Sequence, residues 1–369
     1  MISSKWLELY QYLNSHIASL PSIETIEPKL NDRLMFLSAQ FAKADEKPDH
    51  NKTDWLEHES FTLVLSEQLE NLELAKPQVQ FLFETLMAAQ MCQLAMVVTN
   101  QFKSQLTEDD FKTKCGLVYQ QLGDYEMAKS MLEEAIAINA HNPMLHCHLG
   151  FNHLFTGESD IAVEHFKQAI EIDPKFVGGY QNLAGLYYQE SNFELAAEYA
   201  EQAFACDKSL VSTYITAVSS YLALGNKEKA EQWINAAFDH HVSSIELVRL
   251  AGISAHQNGR LEEALEALNH YLTINPSSYD VVSIRARVKA ELGLYGELED
   301  DIKQLLIFEP HDEWCLEQLF LCYFHAEQWA DAQLVMVDLN RLAGHYKITY
   351  REQLNTINKK LSLDVVEIK

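Results

Sequence analysis

The sequence predicts an all-α fold: an α-solenoid of stacked helix pairs, closed by further helices at both ends. Three observations predict it. Rows of 34 residues starting at 109, 143, 177, 211, 245, 279 and 313 align seven segments without a gap, and a fixed period of this length marks a repeat array. The twentieth column of those rows reads Ala128, Ala162, Ala196, Ala230, Ala264, Leu298 and Ala332. Gly and Pro are scarce, at 13 and 8 of 369 residues, and fall mostly at regular intervals, whereas an all-β chain needs both for its many turns. A hydrophobic share of 47% is that of a chain able to bury a core.

Residues 1–108 precede the register and read as a helical N-terminal domain of about four helices, over 4–19, 23–44, 54–74 and 77–105. The polar break from Lys47 to Thr53 contains Pro48, and Thr53 or Asp54 is placed to cap the helix after it. Pro77 suits a first helical turn. The stretch from Phe81 to Val98 is apolar around most of its circumference, so it is expected to be buried on several sides and to cover the open end of the first repeat. Glu84, Gln90 and Gln93 interrupt it, and it falls short of the roughly 20 apolar residues of a membrane span. Glu8 interrupts the first residues before any apolar signal core can form.

The repeats occupy 109–344, and each column has a physical cause. Column 8 (Gly116, Gly150, Ala184, Val218, Gly252, Ala286, Phe320) and column 20 are small where helix A crosses helix B, letting the backbones approach. Column 15 (Gly123, Gly157, Ser191, Gly225, Gly259, Gly293, Glu327) sits just past helix A, where a left-handed residue ends a helix. Tyr119, Tyr187, Tyr221 and Tyr323 share column 11, and Pro174, Pro276 and Pro310 in column 32 stop helix B. Column 27 changes from Ala135, Ala169, Ala203 and Ala237 to Tyr271, Leu305 and Leu339, which predicts altered spacing in the later repeats. After them, 345–369 reads as a capping helix and tail. Tyr350, Leu354, Ile357 and Leu361 form its apolar stripe, and the last eight residues are expected to fray.

These columns resemble the tetratricopeptide repeat (TPR) family over roughly two-thirds of the chain. The first two repeats match best, through Gly116, Tyr119, Gly123, Tyr125 and Ala128, then Leu149, Gly150, Ala162, Phe166, Ala169 and Pro174. The resemblance implies a right-handed TPR superhelix in which helix-A columns 2, 5, 6, 9, 12 and 13 line a concave groove that holds a peptide or helix of a protein partner. On that implication the contact residues are His148, Phe151, Leu154, Phe155, Asn182, Tyr188, Ile215, Arg249, Ile253 and Arg287. The apolar ones are open to a partner unless the N-terminal domain or the chain's own curl covers them. Arg249 and Arg287 either clamp a carboxylate together or pair with Glu246, Asp280 or Glu291. The family's pattern for acidic chaperone tails is missing, since repeats one to three offer Thr113, Leu117, His148, Gly178 and Asn182. A column-6 asparagine ladder is missing too.

The remaining chemistry points away from catalysis. A formal charge of −26 and a pI near 4.9 disfavour nucleic acid and anionic membrane as partners. There is no glycine-rich phosphate loop, HExxH or GxSxG, and Glu133–Glu134 and Glu262–Glu263 read as solvated charge. His141, His146, Cys147, His148 and His153 have the residue types of a zinc site, but the register points them in different directions, so packing is the expected role. The six cysteines show no paired spacing and read as reduced thiols. The expectation is a cytoplasmic scaffold or adaptor, chaperone-like, without metal or cofactor. A self-associating or regulated array, its groove filled by its own chain or a second copy, is the alternative.

Overall fold

A computed structural model describes residues 2–42, 50–70 and 72–367. The described residues form α-helices and no strand, and the chain divides into two compact units, Met1–Gly179 and Tyr180–Lys369.

The first unit begins with α1 (Ser4–His16), α2 (Ile23–Ala42) and α3 (His50–Leu69). Trp6, Tyr10 and Leu13 of α1, Ile26 and Leu30 of α2, and Phe61, Leu65 and Leu69 of α3 recur at helical spacing and are buried together. Fully burying an apolar side chain of this size contributes about 1.5–3 kcal/mol. Residues 43–49 lie outside the described residues. Because α3 starts at His50, Thr53 and Asp54 fall inside its first turn and do not cap it.

The single helix expected over 77–105 is two helices, α4 (Lys76–Ala88) and α5 (Cys92–Gln101), followed by a 3-10 turn at Lys103–Gln105. Gln90 turns left-handed between them, at φ 60°, and the Met91 N–H donates to the Leu86 carbonyl at 2.8 Å. The first repeat closes in the same way: Gly123 stands at φ 80° and the Asp124 N–H reaches the Tyr119 carbonyl at 2.9 Å. Ala95, 33 residues before Ala128, is fully buried as Ala128 is. The helix pair α4–α5 is therefore a repeat-like hairpin one residue out of register. It shields the first repeat: the Lys114 ammonium, at column 6, is buried 4.2 Å over the Phe83 ring and bonded to Gln80.

The repeat helices of this unit are α6 (Glu108–Gln121), α7 (Tyr125–Ile138), α8 (Pro143–Phe155) and α9 (Ser159–Ile172). The next helix, α10, runs Val177–Gln189. Asn142 caps α8 and Pro143 opens it. The close approach at column 8 has a different partner from the one the columns suggest. A Cβ on Gly150 would lie 2.5 Å from Cε1 of Phe166, and one on Gly116 2.9 Å from Cγ of Leu132; Phe166 and Leu132 both stand in column 24. Small column 8 thus makes room for a large side chain of helix B, while column 20 supplies a carbonyl, that of Ala128, 3.3 Å from the same point on Gly116.

The second unit continues the pattern through α11 (Phe193–Cys206), α12 (Val211–Ala223), α13 (Lys227–Asp239), α14 (Ile245–Gln257), α15 (Leu261–Ile274), α16 (Tyr279–Glu291), α17 (Tyr295–Phe308), α18 (Glu313–His325) and α19 (Trp329–Leu342). Its column-15 residues are all left-handed, including Ser191 at φ 59° and Glu327 at φ 58°. The larger residues Leu298, Leu305, Phe320 and Leu339 are buried in one continuous core. In the sixth repeat a salt-bridged triad sits where other repeats pack aromatics: buried Asp301 accepts from Arg285 at 2.5 and 3.0 Å and pairs with buried Lys289 at 3.0 Å.

The end of this unit is covered by α20 (Tyr346–Thr349) and α21 (Arg351–Glu367). Tyr350, Leu354, Ile357 and Leu361 pack into the core of α18 and α19, with Ile357 fully buried. Tyr346 donates to Glu313 at 2.8 Å and Tyr350 to Glu317 at 2.6 Å. Helix α21 runs through most of the stretch expected to fray.

Candidate functional site

Helix α8 carries four of the expected contact residues, His148, Phe151, Leu154 and Phe155, with Met144 one turn before His148. Met144, His148, Phe151 and Phe155 are spaced i, i+4, i+7 and i+11, which places them on one helix face. Phe151 is 39% exposed and Phe155 60% exposed, so the N-terminal helices of the same unit do not cover them. Phe155 lies flat on Tyr125, ring centroids 5.3 Å apart at 10°, and Phe151 meets Phe166 edge-on at 5.7 Å. Both rings are held by aromatic neighbours while still presenting surface. Leu154 flanks the stripe, half-buried. His148 is also half-buried, and burial pushes its imidazole down to about 4, so at neutral pH the stripe carries no charge.

In the second unit the expected residues divide by role. Tyr188 is 38% exposed and stands edge-on to Phe193 at 5.5 Å; Asn182 is half-buried. Ile215 and Ile253 pack against Val218, Ile234 and Leu250, so most of their surface belongs to the core. Arg249 is engaged within the chain. Its Nη2 lies 2.5 Å from Glu246 and its Nη1 3.2 Å from Asp280. Glu291 pairs with His256 at 3.0 Å. Arg287 is exposed, with its guanidinium 4.9 Å from the centroid of the Trp314 ring. The two arginines thus act separately, and the pairing alternative describes Arg249. Tyr125, which supports Phe155, belongs to the repeat pattern itself, whereas Trp314, which supports Arg287, stands in a column of mixed residue types.

The histidine cluster differs from the one the sequence suggests. His165 of α9 joins His146 and His153 of α8: its ring stacks on His153 at 5.4 Å, and its Nδ1 is 3.4 Å from that of His146. Nδ1 of His153 lies 2.6 Å from the Glu158 carboxylate. Burial, reinforced by the neighbouring histidines, pushes His165 down to about 4. Among the described residues no group of His, Cys, Asp or Glu is disposed to hold a metal ion. No disulfide joins the six cysteines, and Cys206 alone is exposed. Burial pushes Cys315 and Cys322 up to about 12, which makes them poor nucleophiles. No helix of the described residues is long and apolar enough to cross a membrane.

Residues 113–142 and 145–176 match one family model of the tetratricopeptide repeat, and 215–279 match a second. A sol locus transcriptional repressor of Clostridium acetobutylicum is 27% identical over 79 residues, which are 21% of this chain and 25% of that protein; the chain thus covers a quarter of that relative's length. Among solved structures, YrrB, described as a TPR protein with an unusual peptide-binding site, is 17% identical with a TM-score of 0.45, over 52% of this chain and 98% of its own. A tetratricopeptide repeat protein from Parabacteroides merdae is 17% identical with a TM-score of 0.47, over 68% of this chain and 98% of its own.

Proposed function

For this chain, a tetratricopeptide-repeat protein, we propose a role as an interaction scaffold that receives a segment of a partner protein on α8. Tetratricopeptide repeats mediate protein–protein interaction, and the observation that carries the finer reading is the exposed stripe of Met144, Phe151 and Phe155. Aromatic side chains that are already held in place lose little freedom on binding and form the centres of interfaces. In the second unit, Asn182, Tyr188 and Arg287 are the contact residues of this reading. Arg249 drops out of it, because removing it from Glu246 and Asp280 would leave two carboxylates unpaired. Catalysis has no place in the proposal: the buried thiols and histidines are poised for packing, and the acidic pairs are solvated.

The test is a double substitution, Phe151→Ala with Phe155→Ala, in the full chain. Both rings are partly solvated, so far-UV circular dichroism is expected to stay unchanged. A protein captured from the native cell by the parent chain should be lost, or bound at least tenfold more weakly, by the variant. Equal capture by both chains would overturn the reading. Light scattering across concentration separates the alternative: concentration-dependent dimers that the same substitutions abolish would make a second copy the occupant.

A further inference from the structure

Between α19 and the capping helices lies an open cleft of about 600 Å³, a volume in the range of ligand sites. It is distinct from the α8 stripe and does not depend on it. Arg341, Lys347 and Arg351 line it. In a chain of net charge −26, three cations on one cleft stand out against the general field. Arg341 is partly answered by Asp338 at 3.1 Å, but Lys347 and Arg351 have no ion-pair partner among the described residues. The amides divide in the same way. Asn340 is occupied, donating to the Met336 carbonyl at 2.6 Å and accepting from the Lys347 N–H at 3.1 Å. Asn358 accepts from Gln333 at 3.3 Å, which leaves its N–H groups available, and Asn355 lines the same cleft. Met336, Val337 and Leu354 add apolar lining.

We infer that this cleft binds a short acidic peptide segment of another protein. Arginine and lysine match its carboxylates, the free amide N–H groups match peptide carbonyls, and the apolar lining takes an intervening side chain. Free phosphate would use only the cations. A nucleic acid would extend past them into the acidic field of the rest of the chain, beyond the Debye length of about 8–10 Å over which the cations act.

The test is fluorescence anisotropy on the full chain with a labelled hexapeptide of alternating glutamate and leucine. The glutamine–leucine counterpart serves as control. The glutamate peptide should bind at least tenfold more tightly than the control, and more weakly as salt rises. The double variant Lys347→Glu with Arg351→Glu should lose that preference. Both side chains are exposed, so the fold is retained, which circular dichroism checks. Equal binding of the two peptides, or undiminished binding by the variant, would overturn the inference. So would tighter binding of inorganic phosphate or a single-stranded oligonucleotide. Loss of the peptide on Phe151→Ala with Phe155→Ala, with none on the cap variant, would place it on α8 and overturn this site alone.

Discussion

At the level of single residues, a left-handed position between helices A and B recurs through the array. Gly123 has nothing within 4 Å of a would-be Cβ, so Gly123→Ala is expected to cost about 1 kcal/mol through the backbone alone. Ser191 holds the same conformation at φ 59°, and Ser191→Gly is expected to stabilise by about 0.5–1 kcal/mol. Urea denaturation measures both, and a loss of stability in Ser191→Gly would contradict the assignment. His148 and His165 provide a second residue-level expectation. Each is held at about 4, below the ordinary value near 6.5. The unfolded chain therefore binds more protons between about pH 4 and 6.5, so stability falls as pH drops through that window, by at most about 3 kcal/mol for His148 and by less for the more solvated His165. Denaturation midpoints at pH 7.5 and 5 should show the loss, and His148→Phe with His165→Phe should flatten it. A parent chain equally stable at both would contradict it. Column 15 is legible in the sequence because glycine marks it. His165 is not: it sits on the other helix of the pair, and no spacing within α8 points to it.

The triad of Arg285, Lys289 and Asp301 belongs to the scale of elements, since it joins α16 to α17. With Asp301 and Lys289 buried, Asp301→Ala leaves two cations without their anion and is expected to cost about 3–5 kcal/mol. Replacing all three by Leu, Met and Met should restore most of it, because apolar packing replaces a buried ion pair at little net cost. Thermal unfolding of the single and triple variants decides; a harmless Asp301→Ala would show that water reaches the triad. The helix pairs of the repeat register were readable because small residues at columns 8 and 20 are forced by close approach. The partner of column 8 was harder to place. Column 24 is apolar throughout but varies from Leu132 to Phe166 to Ala200, so no single residue type marks it, although its large members fill the space beside Gly116, Gly150 and Gly252. The α4–α5 hairpin escaped for a similar reason. Gln90 takes the turn without a glycine, and the 33-residue offset of Ala95 from Ala128 breaks the register. The apolar run through 81–98 reads as one helix unless the turn is known.

For the whole molecule, the sequence carries the family pattern more plainly than it carries the site. Phe151, Phe155 and Tyr188 are exposed, whereas Arg249 is neutralised by Glu246 and Asp280, two acids that the charge pattern offered as one outcome of two. Groove columns give a direction along helix A; which side chains remain free depends on their neighbours, and those lie in other repeats. The central claim is that partner contact is made by the α8 stripe. A photo-reactive phenylalanine analogue placed at Phe155, and in a second chain at Glu171 on the exposed face of α9, tests it most directly in the native cell. The account predicts a covalent adduct with a partner protein from position 155 and none from position 171. Equal adducts from both positions, or none from 155, would contradict it.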